Sequence, residues 1–360
     1  MLTNKKTKKV AIITTHPIQY YAPVFTLLSR KTELYVFYTN RKMFDKGFRQ
    51  KVQWDIPLLD GYSYIFADKN LINKLIAFKP DCLIVYGWAN MNHLAVMRYF
   101  KGKVPILFRG DSTLLNPQNI LKSKCRSIAL NFIYKQIDKA LYVGQNNKTY
   151  FIRHGLKQEQ LIFAPHAVDN KRFSAPIKSN IRNLLHLKSN DILVLYAGKF
   201  TQVKNPQLLL RGFIELSMPN VHILFTGDGL LKNSLQNIGR GYRNVHFLPF
   251  QNQSKMPAIY QACDLFCLPS NSESWGLAVN EAMAAGKAIL ASDKVGAAAD
   301  LVRAENGRIF KNNNLPDLKK NLQEMVSNPR ALQEKGKASS KIIADWNFDV
   351  QANNILDAID

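Results

Sequence analysis

The chain has 360 residues, enough for about two domains of roughly 150 residues each, and 46% of them are hydrophobic, which excludes a disordered protein. Its 49 basic and 26 acidic residues give a net charge of +23, compatible with nucleic acid, an anionic membrane or an acidic substrate as partner. The four cysteines are too few for a small disulfide scaffold, and no run approaches the roughly 18 apolar residues of a membrane span. The basic N-terminus leads into a short apolar run only, so we expect no signal peptide and a cytoplasmic protein.

Short apolar runs alternate with helical patterns along the chain, and the runs predict two series of strands. The first series is 10–15, 34–39, 62–66, 81–87, 104–110, 139–144 and 160–165; the second is 191–198, 221–227, 245–249, 264–270, 287–292 and 307–310. Buried strands separated by helices are typical of parallel sheets that are covered on both faces and bind ligands at the carboxyl ends of their strands. We therefore predict an α/β protein with two doubly wound, Rossmann-like domains.

The polar, proline-containing stretch at 163–180 separates the two series. It places a first domain at residues 1–172 and a second at residues 173–345, followed by a C-terminal helix at 346–360 that we expect to pack back toward the first domain. The charge is divided unevenly between the halves. Residues 1–172 contain 28 basic and 10 acidic residues, a net of +18, whereas residues 173–360 contain 21 and 16, a net of +5. This asymmetry indicates an anionic partner for the first half.

The segment at 268–296, LPSNSESWGLAVNEAMAAGKAILASDKVG, has the pattern strand, loop, helix, turn, strand. Glu273 precedes the helix and Glu281 lies within it, with seven residues between them. The helix N-terminus after Gly276 offers backbone N–H groups to a phosphate, and the two carboxylates can accept hydrogen bonds from sugar hydroxyls. Taken alone, a Glu-x7-Glu pair is more often a helix-capping glutamate followed by a solvated glutamate on the helix.

This segment resembles the signature of retaining glycosyltransferases of family 4, the glycosyl transferases group 1, which have the GT-B fold of two Rossmann-like domains facing each other across a cleft. Four further segments resemble other motifs of that family in the same order: 162–173, 195–213, 222–236 and 245–270. The resemblance implies an acceptor-binding first domain and a nucleotide-sugar-binding second domain. The implied reaction moves a hexosyl or N-acetylhexosaminyl group from a nucleotide diphosphate to a hydroxyl with net retention, in bacterial surface polysaccharide, lipopolysaccharide or glycolipid biosynthesis.

The resemblance also assigns roles to residues. Glu273 would contact hydroxyls of the donor sugar, Glu281 would hold the ribose diol, and Lys199 and Lys204 would neutralise the departing diphosphate, whose charge grows in the transition state. The complete implied donor-binding set is Gly198, Lys199, Lys204, Gly227, Asp228, Gly229, Phe250, Glu273, Ser274, Trp275, Gly276, Leu277 and Glu281.

The chain departs from the family pattern at two positions of this set's first loop. Lys199 stands where the family usually has Arg, which removes a bidentate donor, and Asn205 replaces the usual Gly, which leaves the geometry of that loop open. The alternative interpretation of Lys199 and Lys204 is that they are ordinary surface lysines. The alternative for Gly227 to Gly229 is a tight turn with no role in binding. No Asp-x-Asp pattern occurs, so we expect leaving-group stabilisation without a metal and no cofactor beyond the donor.

The first half offers fewer signals. His16 ends the first predicted strand, and Arg109 and Asp111 end a later one at the point where family members commonly place a His. All three are candidate catalytic groups that would touch the sugar, the diphosphate or the acceptor. A helix-capping histidine and an Arg–Asp ion pair that shapes the loop are the alternatives.

Two basic stretches, 41–51 and 118–139, could account for the charge of the first half. Lys122 and Arg126 share one helical face by their four-residue spacing, but the other cations do not join them, so the second stretch is not predicted to be a simple amphipathic helix. Basic groups with interleaved aromatics favour an anionic membrane surface and a glycan or lipid-linked acceptor, with a peripheral location on the inner face of the cytoplasmic membrane. A lysine-rich composition is the alternative.

Two other functions remain to be compared with the transferase. A GT-B nucleotide-sugar epimerase or hydrolase would consume the donor without an acceptor. A nucleic-acid-binding protein is suggested by the charge alone, and no helix-turn-helix, RNP-like or zinc-knuckle signature accompanies it. We therefore expect no nucleic acid partner.

Overall fold

The computed structural model describes residues 7–40, 44–45, 50–51, 54–67, 70–116 and 119–359, and it divides the chain into two compact units. The first unit comprises residues 1–43, 56–166 and 348–360, and the second comprises residues 44–55 and 167–347. The division after residue 166 lies six residues before the one drawn from the sequence. Residues 167–172 join the second unit because they lead into a short helix, capped by Asp169, whose buried Phe173 packs edge-on against Tyr260.

The first unit contains a seven-stranded parallel sheet with the order β5-β2-β1-β6-β7-β8-β9. Every strand of the first predicted series is present. The first two begin and end one residue earlier than predicted, and the other five are shortened by one or two residues at one end or both. A two-stranded antiparallel pair, β3 and β4, was not predicted, since two-residue strands leave no alternation in the sequence. The strands are β1 (Lys9–Thr14), β2 (Glu33–Tyr38), β3 (Phe44–Asp45), β4 (Gln50–Lys51), β5 (Ser63–Phe66), β6 (Cys82–Tyr86), β7 (Ile106–Arg109), β8 (Lys139–Tyr142) and β9 (Leu161–Phe163).

The second unit contains a six-stranded parallel sheet with the order β12-β11-β10-β13-β14-β15. All six strands of the second predicted series are present. Their bounds are β10 (Ile192–Ala197), β11 (Val221–Thr226), β12 (Val245–Leu248), β13 (Leu265–Leu268), β14 (Ala288–Ser292) and β15 (Gly307–Phe310). Two parallel sheets flanked by helices confirm the predicted fold class.

Helices connect most of the parallel strands, as is usual for crossovers between them. In the first unit they are α1 (Ala22–Ser29), α2 (Leu71–Phe78), α3 (Met91–Phe100), α4 (Ile120–Tyr134) and α5 (Gln145–Arg153), with a 3-10 turn at Gln158–Gln160. In the second unit they are α6 (Asn170–Ser174), α7 (Ile181–Leu184), α8 (Pro206–Leu216), α9 (Lys232–Gly239), α10 (Met256–Ala262), α11 (Leu277–Ala284), α12 (Ala298–Leu301), α13 (Leu315–Val326) and α14 (Pro329–Ile343). The chain ends in α15 (Phe348–Ile359).

The C-terminal helix α15 packs against α1 and completes the core on one face of the first sheet. Ala352, Ile355 and Ala358 are buried there. Two lysines bond to carbonyls at the end of α15. Lys8, just before β1, donates from Nζ to the Ile359 oxygen at 2.7 Å, and Lys139, at the start of β8, donates from Nζ to the Ala358 oxygen at 2.8 Å. Cations at this end of a helix satisfy carbonyls that lack partners within the helix and oppose its dipole.

None of the described helices has both the length and the apolar character needed to cross a bilayer.

Candidate functional site

The donor-site residues implied by the sequence gather at the carboxyl edge of the second sheet. Because neighbouring strands run parallel, the loops after β10, β11, β12 and β13 all leave the sheet at this edge. Gly198 and Lys199 follow β10, and Gly227 to Gly229 follow β11. Glu273 lies in the loop between β13 and α11. The topology thus brings together segments that are up to 75 positions apart in the sequence.

Two glycines allow the loops after β10 and β11 to touch. A Cβ added at Gly227 would lie 1.9 Å from the Gly198 oxygen, and one added at Gly229 would lie 2.6 Å from the Phe200 oxygen. Their φ values of +144° and +150° are also ones that residues with a side chain rarely adopt. The Phe200 N–H then donates to the Asp228 oxygen at 2.9 Å, which joins the two loops. The Gly-x-Gly sequence is therefore required by the backbone packing of this edge.

Lys204 and Glu273 form an ion pair at the centre of this edge, Nζ to Oε2. Their side chains are only 24% and 15% exposed, so the pair is largely shielded from water. Burial, with the Lys199 ammonium nearby, lowers the pKa of Lys204 to about 8, whereas the Glu273 carboxylate favours its charged form. The site therefore holds two cationic side chains against a single carboxylate, an arrangement suited to an anionic ligand.

Side chains of the loops after β10 and β13 hold this pair in place. Asn205 Nδ2 donates to Asn271 Oδ1 at 3.0 Å, and Asn271 in turn bonds to the backbone of Gln202 and Val203. Asn205 adopts φ +50°, a left-handed conformation that Asn tolerates better than most residues. The replacement of Gly by Asn at this position therefore preserves a left-handed turn into α8.

Helix α11 begins directly after Gly276, whose φ is +99°. The first-turn N–H groups of a helix lack partners within the helix and carry positive charge, so this end of α11 favours an anion. The preceding loop is fixed by a parallel bridge, in which Glu273 N–H donates to the Lys294 oxygen at 3.1 Å and Gly296 N–H donates to the Glu273 oxygen at 3.1 Å. Because a Cβ at Gly296 would lie 2.0 Å from the Ser274 oxygen, this bridge also requires glycine.

The side chain of Trp275 faces the protein interior and is 3% exposed. Its indole stacks on Trp346 at 5.2 Å, and its Nε1–H donates to Asn280 Oδ1 at 2.9 Å. Ser274 and Leu277, on either side, are half-buried. The side chain of Trp275 therefore anchors the turn. The ligand contact implied for this residue is one that its backbone N–H would make.

Glu281 is more buried than Glu273, with 4% of its surface exposed. Its Oε2 accepts a hydrogen bond of 2.9 Å from the Tyr260 hydroxyl. The seven-residue spacing therefore places the first carboxylate in the loop before α11 and the second on α11 itself, where it is buried.

The remaining donor-set residues take positions that the sequence did not indicate. Asp228 bonds to its own turn, to the Gly229 N–H at 2.7 Å, and its other oxygen pairs with Lys232 at 3.0 Å. Phe250, after β12, lies 6.2 Å from the ring of Trp54. Asp228 thus shapes the glycine turn, and Phe250 shares its surroundings with an aromatic from the other half of the sequence.

Sequence reasoning missed Trp54 and its neighbour Asp55. The Asp55 carboxylate accepts from the Ser254 backbone N–H at 3.0 Å and from the Ser254 hydroxyl, and the Asp55 N–H donates to Asn252 Oδ1 at 3.2 Å. These bonds attach residues 54–55 to the loop between β12 and α10. No spacing rule links positions some 200 residues apart, so this contact left no signal in the sequence.

In the first unit, Arg109 is 2% exposed and acts within the core. Its guanidinium donates to the Ala164 oxygen at 2.7 Å and to the Pro165 oxygen at 3.4 Å. The side chain therefore ties the end of β7 to the segment after β9. The Arg109–Asp111 ion pair considered from the sequence is not among the ion pairs of the described residues. Contact of Arg109 with substrate stays a prediction, and its observed partners are backbone carbonyls.

Asp111 instead lies beside His166, with 3.9 Å between Oδ2 and Nε2. Asp111 is 47% exposed and His166 is 5% exposed, and burial lowers the pKa of His166. His166 was not singled out from the sequence, although its position directly after β9 matches that of His16 after β1. His16 is half-buried, and its Nδ1 lies 2.9 Å from the Thr15 hydroxyl. These residues lie at the carboxyl edge of the first sheet.

Among the described residues no group of three or more His, Cys, Asp or Glu side chains is arranged to hold a metal ion. The basic stretch at 41–51 lies outside the described residues except for the backbone of β3 and β4.

Residues 177–342 match the model of a family described as glycosyl transferases group 1. D-inositol 3-phosphate glycosyltransferase of Rhodococcus erythropolis is 28% identical over 210 residues, which cover 55% of this chain and 47% of that protein. The chain spans about half the length of the curated relatives that it matches first.

Solved structures match nearly the whole chain. Anabaena Alr3699/HepE in complex with UDP and glucose is similar with a TM-score of 0.75 and 17% identity, covering 98% of this chain and 99% of that one. WaaG, a glycosyltransferase involved in lipopolysaccharide biosynthesis, is similar with a TM-score of 0.68 and 14% identity, covering 97% and 99%. At these identities the likeness shows the fold, which is GT-B.

We expect Gly227→Ala to destabilise the second unit, because the new Cβ would collide with the Gly198 backbone. The loss in free energy of unfolding should be about 3 kcal/mol or more, measured by urea denaturation. Gly241→Ala is the matched control: its φ is also positive, at +89°, but a Cβ there has no atom within 4 Å, so only the backbone cost of about 1–2 kcal/mol applies. Equal losses in both variants would contradict the close approach of the two loops.

Proposed function

We propose that this chain, which carries a glycosyl transferases group 1 region at residues 177–342 and has the GT-B fold, transfers a sugar from a nucleotide diphosphate to a hydroxyl acceptor. The observation that carries the proposal is the pairing of Lys204 with Glu273 beside Lys199 and the N-terminus of α11. A nucleotide sugar offers a diphosphate and hydroxyls next to each other. Cations and helix N–H groups suit the first, and a carboxylate suits the second.

In this arrangement the diphosphate lies against Lys199, Lys204 and the first turn of α11, where charge develops as the glycosidic bond breaks. Glu273 accepts hydrogen bonds from sugar hydroxyls, and Glu281, on α11, accepts hydrogen bonds from the ribose hydroxyls. The bond from the anomeric carbon to the diphosphate breaks, a bond to the acceptor oxygen forms on the same face, and the acceptor proton passes to a phosphate oxygen. This route gives retention and needs no side-chain base. His16 and Asp111 remain candidates for contact with the acceptor.

We assign the acceptor to the first unit, where a groove runs beside α4 at the end of β6. It is lined by Trp88, Asn119, Lys122, Cys125, Arg126 and Ala129. The Arg126 guanidinium lies 5.8 Å from the Trp88 ring, and its Nε donates to the Tyr150 hydroxyl at 3.1 Å. An aromatic wall beside two cations suits a sugar or phosphate group of a lipid-linked glycan. The lipopolysaccharide role of WaaG supports a surface-glycan acceptor of this kind.

Replacing Glu281 by Gln should weaken the binding of the donor by about 10- to 100-fold, because a hydrogen bond to a charged group is lost. The measurement is titration with UDP-glucose, followed by the other nucleotide sugars if it does not bind, with thermal stabilisation as readout. Glu324→Gln, the same change at a surface ion pair with Arg308, is the control and should bind as the wild type does. Unchanged affinity in Glu281→Gln would contradict the donor site.

The lysines and the helix N-terminus supply the positive charge that a divalent ion would otherwise provide, so transfer should continue in EDTA at more than about half the untreated rate. The rate of product formation with donor and acceptor, with and without EDTA, measures this. Loss of activity that Mg²⁺ or Mn²⁺ restores would contradict metal independence. A rate of donor consumption that does not rise when acceptor is added would favour a hydrolase or epimerase instead.

Affinity for the donor should fall as the pH rises through about 8, because Lys204 is protonated below that pKa and neutral above it. Between pH 7 and pH 9 we expect the dissociation constant to increase by up to about tenfold. Lys204→Arg is the control, since guanidinium stays charged over this range and the affinity should then be independent of pH. The same pH dependence in both proteins would assign the titration to another group.

A further inference from the structure

Residues 54 and 55 come from the first half of the sequence but belong to the second unit. The Asp55 carboxylate accepts hydrogen bonds from the Ser254 N–H, at 3.0 Å, and from the Ser254 hydroxyl. The Asp55 N–H donates to Asn252 Oδ1 at 3.2 Å. Because both the backbone and the side chain of Asp55 are bonded to the loop after β12, the position of Trp54 relative to that loop is fixed.

The loop that receives this segment is itself anchored. Gln253 is buried, and the guanidinium of Arg172 on α6 donates to the Gln253 backbone oxygen at 2.9 Å and to its Oε1 at 2.7 Å. The Gln253 N–H donates to Asn252 Oδ1 at 2.8 Å, the same oxygen that accepts from Asp55. Residues 252–254 therefore offer the segment a well-supported surface.

Trp54 and Phe250 form a corner of two aromatic rings at this loop. Their ring centroids are 6.2 Å apart, and the ring planes are inclined at 52° to each other. Both residues are half-buried, so neither ring is enclosed in the core. Two inclined aromatic faces that remain accessible are suited to a flat ring that stacks on one face and contacts the other with its edge.

The corner lies on the same edge of the second sheet as the candidate diphosphate site. Phe250 follows β12, and the sheet order β12-β11-β10-β13 places β12 about 14 Å from β13 at about 4.8 Å per strand. A nucleotide whose diphosphate lies at Lys204 and the N-terminus of α11 can extend along this edge in either direction. In the other direction, the loops at 293–297 and 311–314, after β14 and β15, contain no aromatic residue. The aromatic side chains therefore favour the β12 side for the base.

We propose that Trp54 is a donor-binding residue whose indole, together with Phe250, forms the wall on which the nucleobase of the donor stacks. Stacking on an aromatic side chain is open to any base, because every base has a π face. Asp55 is then a positioning residue, which holds Trp54 in place without touching the donor. The inference rests on the proposed function and extends it, since it gives a segment of the first half of the sequence a part in binding the nucleotide.

The first test compares UDP with inorganic pyrophosphate, which lacks the base, by isothermal titration calorimetry. Trp54→Ala should raise the dissociation constant for UDP by about 10- to 100-fold and leave that for pyrophosphate unchanged. Trp54→Phe keeps a π face and should stay within about threefold of the wild type. Tyr242→Ala, at an exposed aromatic residue before β12, is the matched control and should bind UDP as the wild type does.

The second test addresses the positioning role of Asp55. Asp55→Ala should weaken UDP binding by about tenfold, whereas Asp55→Asn keeps an acceptor oxygen for Ser254 and should recover most of the affinity. In the Trp54→Ala background, Asp55→Ala should cause no further loss, because the two residues act through one contact. Additive losses would contradict a role exerted through Trp54.

Intrinsic fluorescence gives an independent readout, because Trp54 is one of only four tryptophans in the chain. UDP should quench the emission of the wild type, and Trp54→Phe should abolish most of this quenching while UDP still binds. Unchanged quenching in that variant would assign the signal to another tryptophan and count against the stacking contact.

Equal UDP affinity in the wild type and Trp54→Ala would overturn the inference and leave the transferase proposal standing. Parallel loss of UDP and pyrophosphate binding in Trp54→Ala would overturn it too, since the residue would then support the fold of the site and not the base. Failure of the wild type to bind UDP, GDP or any other nucleoside diphosphate would overturn both proposals. The unfolding midpoint of each variant is measured alongside. If Trp54→Ala does not fold, Trp54→Leu replaces it, with the same expected loss, because leucine restores apolar volume without a π face.

Discussion

The close approach of two loop backbones determines the architecture of the candidate donor site at the carboxyl edge of the second sheet. Gly227 and Gly229 let the loop after β11 rest on the loop after β10, where any side chain would meet backbone oxygens. That contact fixes the direction in which residues 199–205 leave the sheet. Lys204 then reaches Glu273, and the Asn205–Asn271 bond keeps the loop after β13 beside the loop after β10. The positions of the charged side chains in the site therefore depend on the backbone packing of uncharged glycines.

In the proposed function, Lys204 and Glu273 contact the donor, and several buried side chains hold the segments around such residues in place. Trp275, in the turn before α11, and Arg109, at the end of β7, both face inward. They hold neighbouring segments through indole stacking and through hydrogen bonds to carbonyls. Asp228 likewise serves its own turn. Lys204 and Glu273 are partly shielded but reach the surface, and the reduced access of water strengthens their interaction with each other and with an anion.

The first unit shows the same separation between composition and use. Its excess of basic residues is spread over the whole first half of the sequence. On α4, however, the cations lie beside exposed apolar side chains, and in the neighbouring groove they face Trp88. One helix thus presents exposed apolar side chains and a polar groove on adjacent faces. In the proposed function, the groove beside this helix holds the acceptor.

The sequence by itself determined the fold class and all thirteen strands of the two large sheets, because buried parallel strands are short continuous apolar runs between helices. It also indicated the donor-site candidates from Lys199 to Glu281, whose motifs are local. Only the tertiary structure decided that Arg109 and Trp275 are buried, that His166 lies beside Asp111, and that residues 54–55 attach to the loop before α10. It also decided that the apolar face of α4 points outward. The physical reason is that periodicity specifies a helix and its faces, whereas contacts between distant segments depend on how the elements pack.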